Sequence, residues 1–99
     1  MNIQNLMREA QKMQADLDKK QKELESTKYE GSSSLVSVLM NGKKELISVK
    51  INSDSSIEKD ELELLEDMLM VAVNDAGKKV EEDKAEKLSK YGKNISGLM

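Results

Sequence analysis

The fold is decided by residues 36–51, VSVLMNGKKELISVKI, in which apolar and polar side chains alternate on both sides of an Asn-Gly pair. Val36, Val38 and Met40 follow one alternation, and Ile47, Val49 and Ile51 follow the other. A period of two residues is typical of β-strands. The dipeptide Asn41-Gly42 most readily supplies the positive φ angles of a type I′ turn. This segment therefore predicts an antiparallel hairpin with a two-residue turn.

A shorter strand is predicted around residues 28–30, before the hairpin. Between this strand and Leu35 lies the segment Gly31-Ser32-Ser33-Ser34, whose composition is typical of a flexible polar connector. Residues 28–52 are therefore predicted to form a three-stranded antiparallel β-meander.

A long helix is predicted over residues 1–27, because no glycine occurs between Asn2 and Thr27. Its apolar residues follow heptad spacing, at Ile3, Leu6, Ala10, Met13, Leu17 and Leu24. Lys20 interrupts this series, and polar or charged residues cover the rest of the helix. Such a narrow apolar seam is typical of a helix that packs against a partner helix.

A second long helix is predicted over residues 57–91, with acidic residues at 58, 60 and 61 near its positively polarised start. Its predicted apolar face comprises Leu62, Leu65, Leu69, Ala72, Val73, Ala76 and Val80, broadened by Met68 and Val71 where it lies on the sheet. Gly77 costs this helix about 1 kcal/mol relative to Ala unless a close backbone contact compensates. Gly92 offers a stop, and residues 92–99 are predicted to form a flexible tail.

Residues 1–99 thus predict one α+β domain: a long N-terminal helix, a three-stranded antiparallel meander and a long C-terminal helix. Only 37% of the residues are hydrophobic, 35% are charged, and Tyr29 and Tyr91 are the only aromatic residues. The core is therefore expected to be thin and aliphatic. Small chains with thin cores usually need disulfides, metals or self-association, and we expect self-association here.

The composition excludes several kinds of functional site. The chain has no Cys and no His, which removes disulfides, thiolate and imidazole metal ligands, and the commonest catalytic base. Neighbouring acids such as Glu66-Asp67 point in different directions on a helix and do not share a site. Neither a glycine-rich phosphate loop nor a calcium-loop spacing occurs. We therefore expect no enzyme, no catalytic residue, no cofactor, no metal site and no small-molecule substrate.

The expected location is the cytoplasm, without a membrane partner. Residues 1–5 lack the basic and apolar regions of a secretory signal, and no apolar run approaches the roughly 18 residues of a membrane span. The formal net charge is -3, from 16 basic and 19 acidic residues. Binding to a nucleic acid would therefore depend on local basic patches.

Basic side chains recur along both predicted helices. The candidate DNA-binding residues are Arg8, Lys12, Lys19, Lys20 and Lys22 in the first helix and Lys78, Lys79, Lys84 and Lys87 in the last. Such side chains can contact backbone phosphates, which positions a protein on DNA without selecting bases. Acidic residues are interspersed, so an ordinary solvated surface with salt bridges explains the same pattern.

Several short segments carry a family resemblance in their order and spacing. They are NLMREAQKMQ at 5–14, Glu30-Gly31, LVSV at 35–38, Asn41-Gly42, Val49-Lys50-Ile51, Leu65-Glu66-Asp67-Met68, Ala72-Val73-Asn74-Asp75-Ala76 and Lys78-Lys79-Val80-Glu81. Together they resemble the YbaB/EbfC family of bacterial nucleoid-associated proteins over nearly the whole chain.

The resemblance implies a homodimer in which the meanders join into one sheet and the long helices project as paired arms. It also implies duplex DNA binding with limited sequence preference, association with the nucleoid and no catalytic activity. Asn74 and Asp75 lie in the family's most recognisable segment. We expect them to hydrogen-bond to the meander or to the dimer partner rather than to DNA.

Two functions remain open at this point. The first is a homodimeric DNA-backbone binder with a possible role in nucleoid organisation and gene regulation. The second is a protein-interaction module that docks a replication or repair partner through the charged helices, which their balance of acids and bases favours. A simple coiled coil is disfavoured, because it has no use for the predicted hairpin.

Overall fold

The computed structural model describes residues 2–53 and 56–89. In chain order the elements are helix α1 (Ile3–Ser26), strands β1 (Lys28–Ser32), β2 (Val36–Asn41) and β3 (Leu46–Ile51), a 3-10 turn (Lys59–Glu61) and helix α2 (Leu62–Leu88). The strands form one antiparallel sheet in the order β1-β2-β3. The predicted α-β-β-β-α order of an α+β fold is confirmed. The predicted tail at 92–99 and the last two residues predicted for the second helix lie outside the described residues.

Helix α1 projects from the sheet as an arm. The Asn2 side chain caps its start by accepting a hydrogen bond from the Gln4 N–H at 2.9 Å. Near the sheet, Leu24 is buried and Leu17 packs against the core. Toward the N-terminus the apolar seam is exposed, and Ile3 is 71% exposed. The described residues accordingly measure 71 × 21 × 14 Å.

One face of the sheet packs on α2. Val36, Val38 and Met40 are buried and alternate with half-exposed residues along β2, as the period of two predicts. They join Leu24, Tyr29, Ala72, Ala76, Val80 and Leu88 in one core cluster. The core is as thin and aliphatic as the composition predicts.

Strand β3 lies outside the cover of α2, which packs on β1 and β2. Ile51 and Val49 are directly opposite Val36 and Val38, so they lie on the same sheet face as the core. A bulge then shifts the register and places Leu46 opposite Met40. The predicted alternation holds for Val49 and Ile51, whereas Ile47 is the extra residue of the bulge and has no partner in β2. All six β3 residues are exposed.

The hairpin turn differs from the predicted type I′ form. The Lys44 N–H donates to the Asn41 carbonyl at 3.0 Å, and Lys44 has a φ of 63°. These features define a three-residue loop that ends in a left-handed residue. The Asn41 side chain favours this loop, because its oxygen accepts hydrogen bonds from the N–H groups of Lys43 at 2.9 Å and Glu45 at 3.0 Å.

The predicted flexible connector is instead tied to α2. Gly31 and Ser32 belong to β1, and the Ser32 N–H donates to the Asp75 carboxylate at 3.1 Å. The Ser33 hydroxyl donates to the Met68 carbonyl oxygen at 2.6 Å. These partners lie 43 and 35 residues away in the chain, so the local composition does not reveal them.

Two glycines allow the helices to approach the meander closely. A Cβ at Gly31 would overlap the backbone of Ala72 and Ala76 in α2, and a Cβ at Gly42 would overlap the Leu24 carbonyl group in α1. Both glycines are therefore required by close contact between backbones.

Helix α2 begins later than predicted and buries a narrower face. Reciprocal hydrogen bonds between Glu58 and Glu61 cap the 3-10 turn, and the α-helix starts at Leu62 rather than at residue 57. Leu62, Leu69 and Val71, predicted for the buried face, are exposed, with Val71 at 56%. Leu62 and Leu69 are exposed because α2 leaves the third strand uncovered. Val71 is exposed because it lies on the side of α2 opposite Val80. Neither α1 nor the described part of α2 is long and apolar enough to cross a membrane.

Candidate nucleic-acid interface

Four basic side chains form one exposed stripe along α1. At about 100° of rotation per residue, Arg8, Lys12, Lys19 and Lys22 fall within about 80° of one another around the helix. All four are exposed. At about 1.5 Å of rise per residue, the row is about 21 Å long. We call these four residues the α1 basic stripe.

The α1 basic stripe carries charge that the protein itself does not neutralise. No acidic residue falls in the same sector of α1. Within residues 2–53 and 56–89, none of the four side chains forms a salt bridge. Lys20, also predicted as a contact, is half-buried and lies about 100° from Lys19 around the helix. The stripe is thus available to an external anion, and Lys20 is not part of it.

The predicted lysines of α2 do not form a comparable row. Around the α2 axis, Lys78, Lys79, Lys84 and Lys87 spread over about 240°. Lys78 is exposed, whereas Lys84 is half-buried beside Leu24 and Leu88. The structure therefore does not bring the α2 lysines onto one surface.

Lys79 and Asp75 connect α2 to β1. The Lys79 ammonium donates to the Glu30 carbonyl oxygen at 2.7 Å and lies 3.5 Å from Asp75 Oδ2. The same carboxylate accepts the Ser32 N–H, so Asp75 hydrogen-bonds to the meander as expected. The neighbouring Asn74 is exposed, and its side chain makes no hydrogen bond to any other described residue.

Lys87 belongs to a hydrogen-bonded link between α2 and β1. The Tyr29 hydroxyl donates to Asp83 Oδ2 at 2.5 Å, and the Lys87 ammonium donates to the same oxygen at 2.7 Å. Burial, together with the hydrogen bond to Asp83, raises the pKa of Tyr29 to about 12. Two hydrogen bonds lower the pKa of Asp83: the one from Lys87 has the larger effect, and the one from Tyr29 the smaller. The charge of Lys87 is thus opposed by a carboxylate within the protein.

Two hairpin lysines, absent from the sequence prediction, join the meander to both helices. Lys44 Nζ lies 2.5 Å from Glu81 Oε1, and Lys43 Nζ lies 4.0 Å from Glu25 Oε2. The hydrogen bond and charge of Lys44 lower the pKa of Glu81. Lys43 also lines a shallow depression together with Lys22, Glu25 and Glu45, so acidic side chains separate the α1 basic stripe from the hairpin. The only sequence signal for these contacts was the Lys43-Lys44 pair in the turn. Such a pair is common in exposed turns and does not predict ion pairs with the helices.

An exposed apolar surface continues the core beyond β2. Leu46, Val49 and Ile51 lie on the core face of the sheet, yet each is 44% to 48% exposed. Leu62 and Leu69 are exposed on the side of α2 that also carries Val80. We call Leu46, Val49, Ile51, Leu62 and Leu69 the apolar β3 face. Uncovered apolar surface next to an open strand edge is typical of a protein interface.

The chemistry that the α1 basic stripe offers is anion binding. In the part of the chain that the structure describes, no group of three or more acidic side chains is arranged to hold a metal ion. The depressions beside α1 are shallow, and lysines alternate there with Asp, Glu and small polar side chains. The lysines of the α1 basic stripe are therefore the groups with the clearest capacity to bind a ligand.

Comparisons with known proteins show the family to which the chain belongs. Residues 1–95 match the YbaB/EbfC DNA-binding family. A nucleoid-associated protein of Caldanaerobacter subterraneus subsp. tengcongensis is 42% identical over 98% of this chain and 90% of its own length. A nucleoid-associated protein of Clostridium novyi is 40% identical over 99% of this chain and 89% of its own length. Another, of Streptococcus suis, is 42% identical over 92% of this chain and 93% of its own length.

A solved structure shares the fold. The crystal structure of an uncharacterized protein from Helicobacter pylori superposes with a TM-score of 0.68 and 26% sequence identity, over 87% of this chain and 91% of that one. The sequence match over residues 1–95 and the relatives of 40% identity or more lead to the same assignment. This chain belongs to the YbaB/EbfC DNA-binding family.

Proposed function

We propose that the protein binds duplex DNA mainly through the phosphate backbone, with limited sequence preference. The observation that carries the proposal is the α1 basic stripe, an exposed row of four cations with no acid among them. Three of the four are lysines, which act as point charges toward phosphate and lack the bidentate fork that reads guanine. Membership of a DNA-binding family supports the same conclusion.

The proposed active form is a homodimer joined through β3 and the apolar β3 face. The Asn52 N–H donates to the Leu35 carbonyl oxygen. Hydrogen-bonded and non-hydrogen-bonded pairs alternate along an antiparallel ladder. Since Asn52 is hydrogen-bonded to β2, Ile51 and Val49, which lie one and three residues earlier, direct their backbone polar groups away from β2. This open edge is a template for another strand. A second copy offers the same apolar pattern, and two β3 strands can pair antiparallel about a two-fold axis.

The proposed homodimer explains how a protein with net negative charge binds DNA. Pairing of the β3 strands joins two meanders into one sheet and gives the assembly two α1 arms. Each arm carries its own basic stripe, so the number of phosphates within reach doubles. Asp18 and Glu23 lie beside the stripe and outside its sector of the helix. We also propose a role in nucleoid organisation and gene regulation in the cytoplasm. The names of the nucleoid-associated relatives support association with the nucleoid. No catalytic residue, cofactor or small-molecule substrate is part of this proposal.

The other predicted contacts take a lesser part in the proposed interface. Lys79 and Lys87 already meet carboxylates, so their net attraction for a phosphate is reduced. Lys20, Lys78 and Lys84 lie off the stripe. They contribute to the electrostatic potential around it, and at 0.1 M salt this contribution is screened beyond about 10 Å.

A salt series tests this proposal. Fluorescence anisotropy is measured with two duplexes of equal length and unrelated sequence. We expect similar affinities for both duplexes, and a log–log salt slope of about −0.9 for each phosphate neutralised. A flat salt response, or strong preference for one duplex, would contradict binding through the backbone.

The second candidate function, a docking module for a replication or repair protein, is favoured by the acidic start of α2. Glu58, Asp60, Glu61, Glu63, Glu66 and Asp67 are accompanied by one cation, Lys59. Such a surface repels phosphate and complements a basic protein. Recovery of one stoichiometric protein partner after nuclease treatment, with no binding to any duplex at low salt, would favour this function over DNA binding.

A further inference from the structure

The two edges of the sheet differ in how their outward-facing backbone groups are satisfied. Strand β1 forms one edge and β3 forms the other, because the strand order is β1-β2-β3. An edge strand presents N–H and C=O groups with which another strand can pair. The β3 edge is open, as the proposed homodimer requires. The β1 edge is occupied by two charged side chains of α2.

These two side chains bind backbone groups that point outward from β1. Hydrogen-bonded and non-hydrogen-bonded pairs alternate along an antiparallel ladder, so alternate residues of β1 direct their N–H and C=O groups away from β2. The Lys79 ammonium donates to the Glu30 carbonyl oxygen at 2.7 Å. The Ser32 N–H donates to the Asp75 carboxylate at 3.1 Å. We call Asp75 and Lys79 the β1 edge caps, because they take the place of a neighbouring strand.

Gly31, between the two capped residues, explains how α2 reaches this edge. A Cβ at Gly31 would overlap the Ala72 carbonyl oxygen and the Ala76 N–H, so only glycine lets the helix backbone come this close. The β1 edge caps are one helical turn apart, and Lys79 Nζ lies 3.5 Å from Asp75 Oδ2. Each cap is therefore held at the edge both by the strand and by the other cap.

The number of open edges decides whether assembly stops. Pairing of two β3 edges about a two-fold axis uses both of them and closes the assembly at two chains. With free β1 edges, each dimer would also present one edge at either end of its joined sheet, and further dimers would add edge to edge. Closing the β1 edge therefore limits the assembly to a dimer.

We propose that Asp75 and Lys79 determine the specificity of self-association by closing the β1 edge. The partner that they exclude is the β1 strand of a further copy, which would otherwise pair antiparallel with this one. This inference rests on the proposed homodimer and adds the residues that select its strand. It also gives Lys79, expected from the sequence to contact DNA, a role in assembly.

Removal of both caps tests the proposal without DNA. The full-length double variant Asp75→Ala with Lys79→Ala leaves the net charge unchanged and introduces a good helix former. Its matched control, Lys78→Ala with Glu82→Ala, removes one acid and one base at the same spacing from exposed positions of the same helix. In sedimentation velocity, we expect the control to remain a dimer. The cap variant should form species of at least about twice the dimer mass, and their share should rise with protein concentration.

A lysine on β3 separates the two edges. Val49→Lys alone should be monomeric, because it places a charge on the core face of β3. Val49→Lys combined with the cap variant should form a dimer through β1 and nothing larger. Larger species in this combination would show association unrelated to the strand edges and would overturn the proposal.

Two further results would overturn the proposal for different reasons. Equal masses for the cap variant and its control at all concentrations would show that the caps do not close the β1 edge. A dimeric Val49→Lys variant would show that pairing does not use β3, and the proposed homodimer would fail with it. If the cap variant alters the far-UV circular dichroism spectrum, Lys79→Met replaces it, with the same expectation. This substitution keeps an unbranched side chain and removes the donor to Glu30.

Discussion

The phenolic oxygen of Tyr29 lies 2.5 Å from Oδ2 of Asp83, 54 residues later in the chain. Tyr29 is only 8% exposed, so this hydrogen bond joins β1 to the C-terminal part of α2 at the edge of the core. Lys87 donates to the same carboxylate oxygen, and the next residue, Leu88, packs with Leu24 of α1. The link therefore fixes the part of α2 against which the α1 arm rests.

Replacing Tyr29 by Phe removes this hydrogen bond and keeps the buried ring. We expect Tyr29→Phe to lower the free energy of unfolding by about 1.5 kcal/mol, which is the low end of the range for a hydrogen bond to a charged group. The low end applies because Asp83 still accepts the hydrogen bond from Lys87 in this variant. The measurement is urea unfolding followed by far-UV circular dichroism. Lys44→Ala is the control, because it removes an exposed ion pair with Glu81 and should cost at most about 1 kcal/mol. A larger loss from Lys44→Ala than from Tyr29→Phe would contradict the account.

The Tyr29–Asp83 link also predicts how stability varies with pH. The pKa of Tyr29 is raised from 10.0 to about 12, so its contribution is complete below pH 10.0 and is lost as the pH rises through about 12. The pKa of Asp83 is lowered from 3.8, so its contribution is complete above pH 3.8 and is lost as the pH falls below that value.

Alkaline unfolding separates the Tyr29 contribution from other titrations. We expect the difference in unfolding free energy between the natural chain and Tyr29→Phe to be constant from neutral pH to about pH 10 and to shrink above it. Contributions that do not depend on the Tyr29 hydroxyl are common to both proteins and cancel in this difference. A difference that stays constant up to pH 12 would contradict a raised pKa for Tyr29.

Two glycine substitutions should change stability in opposite directions. A Cβ at Gly31 would overlap the backbone of α2, whereas no described atom lies within 4 Å of a Cβ at Gly77. We expect Gly31→Ala to destabilise the protein by about 1–3 kcal/mol through overpacking, and Gly77→Ala to stabilise it by up to about 1 kcal/mol through helix propensity. Thermal unfolding measures both. Equal shifts of the same sign would be inconsistent with the close contact between β1 and α2.

The proposed dimer interface is tested with two lysines on one strand. Val49 lies on the core face of β3, and Ser48 lies on the other face, opposite Leu39. Because a buried unpaired charge is costly, we expect Val49→Lys to sediment as a monomer and Ser48→Lys to remain a dimer. Sedimentation velocity at several concentrations gives the mass. If Val49→Lys stays dimeric, the two copies associate through a different surface.

Local sequence patterns predicted the order of the elements. The alternation around Asn41-Gly42 gave β2 and β3, and the heptad series from Ile3 to Leu24 gave α1. These patterns depend on residues close in sequence, where the periods of strand and helix are visible directly. The type I′ turn was predicted wrongly, because Asn41 acts through its side chain and the positive φ falls at Lys44.

Contacts between distant residues could not be predicted in this way. The partners Tyr29 and Asp83 carry no local pattern, and Gly31 resembled a connector residue until α2 was in place. The extent of the sheet covered by α2 decides which apolar residues are exposed, which is why Leu62 and Leu69 were misplaced. In the candidate site, sequence reasoning identified nine cations. Helix geometry, together with the ion pairs that Lys79 and Lys87 each form with a carboxylate four residues earlier, separates the α1 basic stripe from these two lysines.

The central claim is that the α1 basic stripe carries the contacts to DNA phosphates. Lys19 and Lys20 are adjacent in sequence, and only Lys19 lies on the stripe. The most direct measurement is the log–log salt slope of duplex binding for Lys19→Glu and for Lys20→Glu, with the mass of each variant checked in parallel.

We expect Lys19→Glu to weaken binding to unrelated duplexes by a similar factor. The slope should become shallower by about 0.9 for each phosphate that is no longer neutralised, or about 1.8 for a dimer. Lys20→Glu should retain a slope close to that of the natural chain. Equal slopes for the two variants, or a shallower slope for Lys20→Glu than for Lys19→Glu, would contradict the assignment of DNA binding to this face of α1.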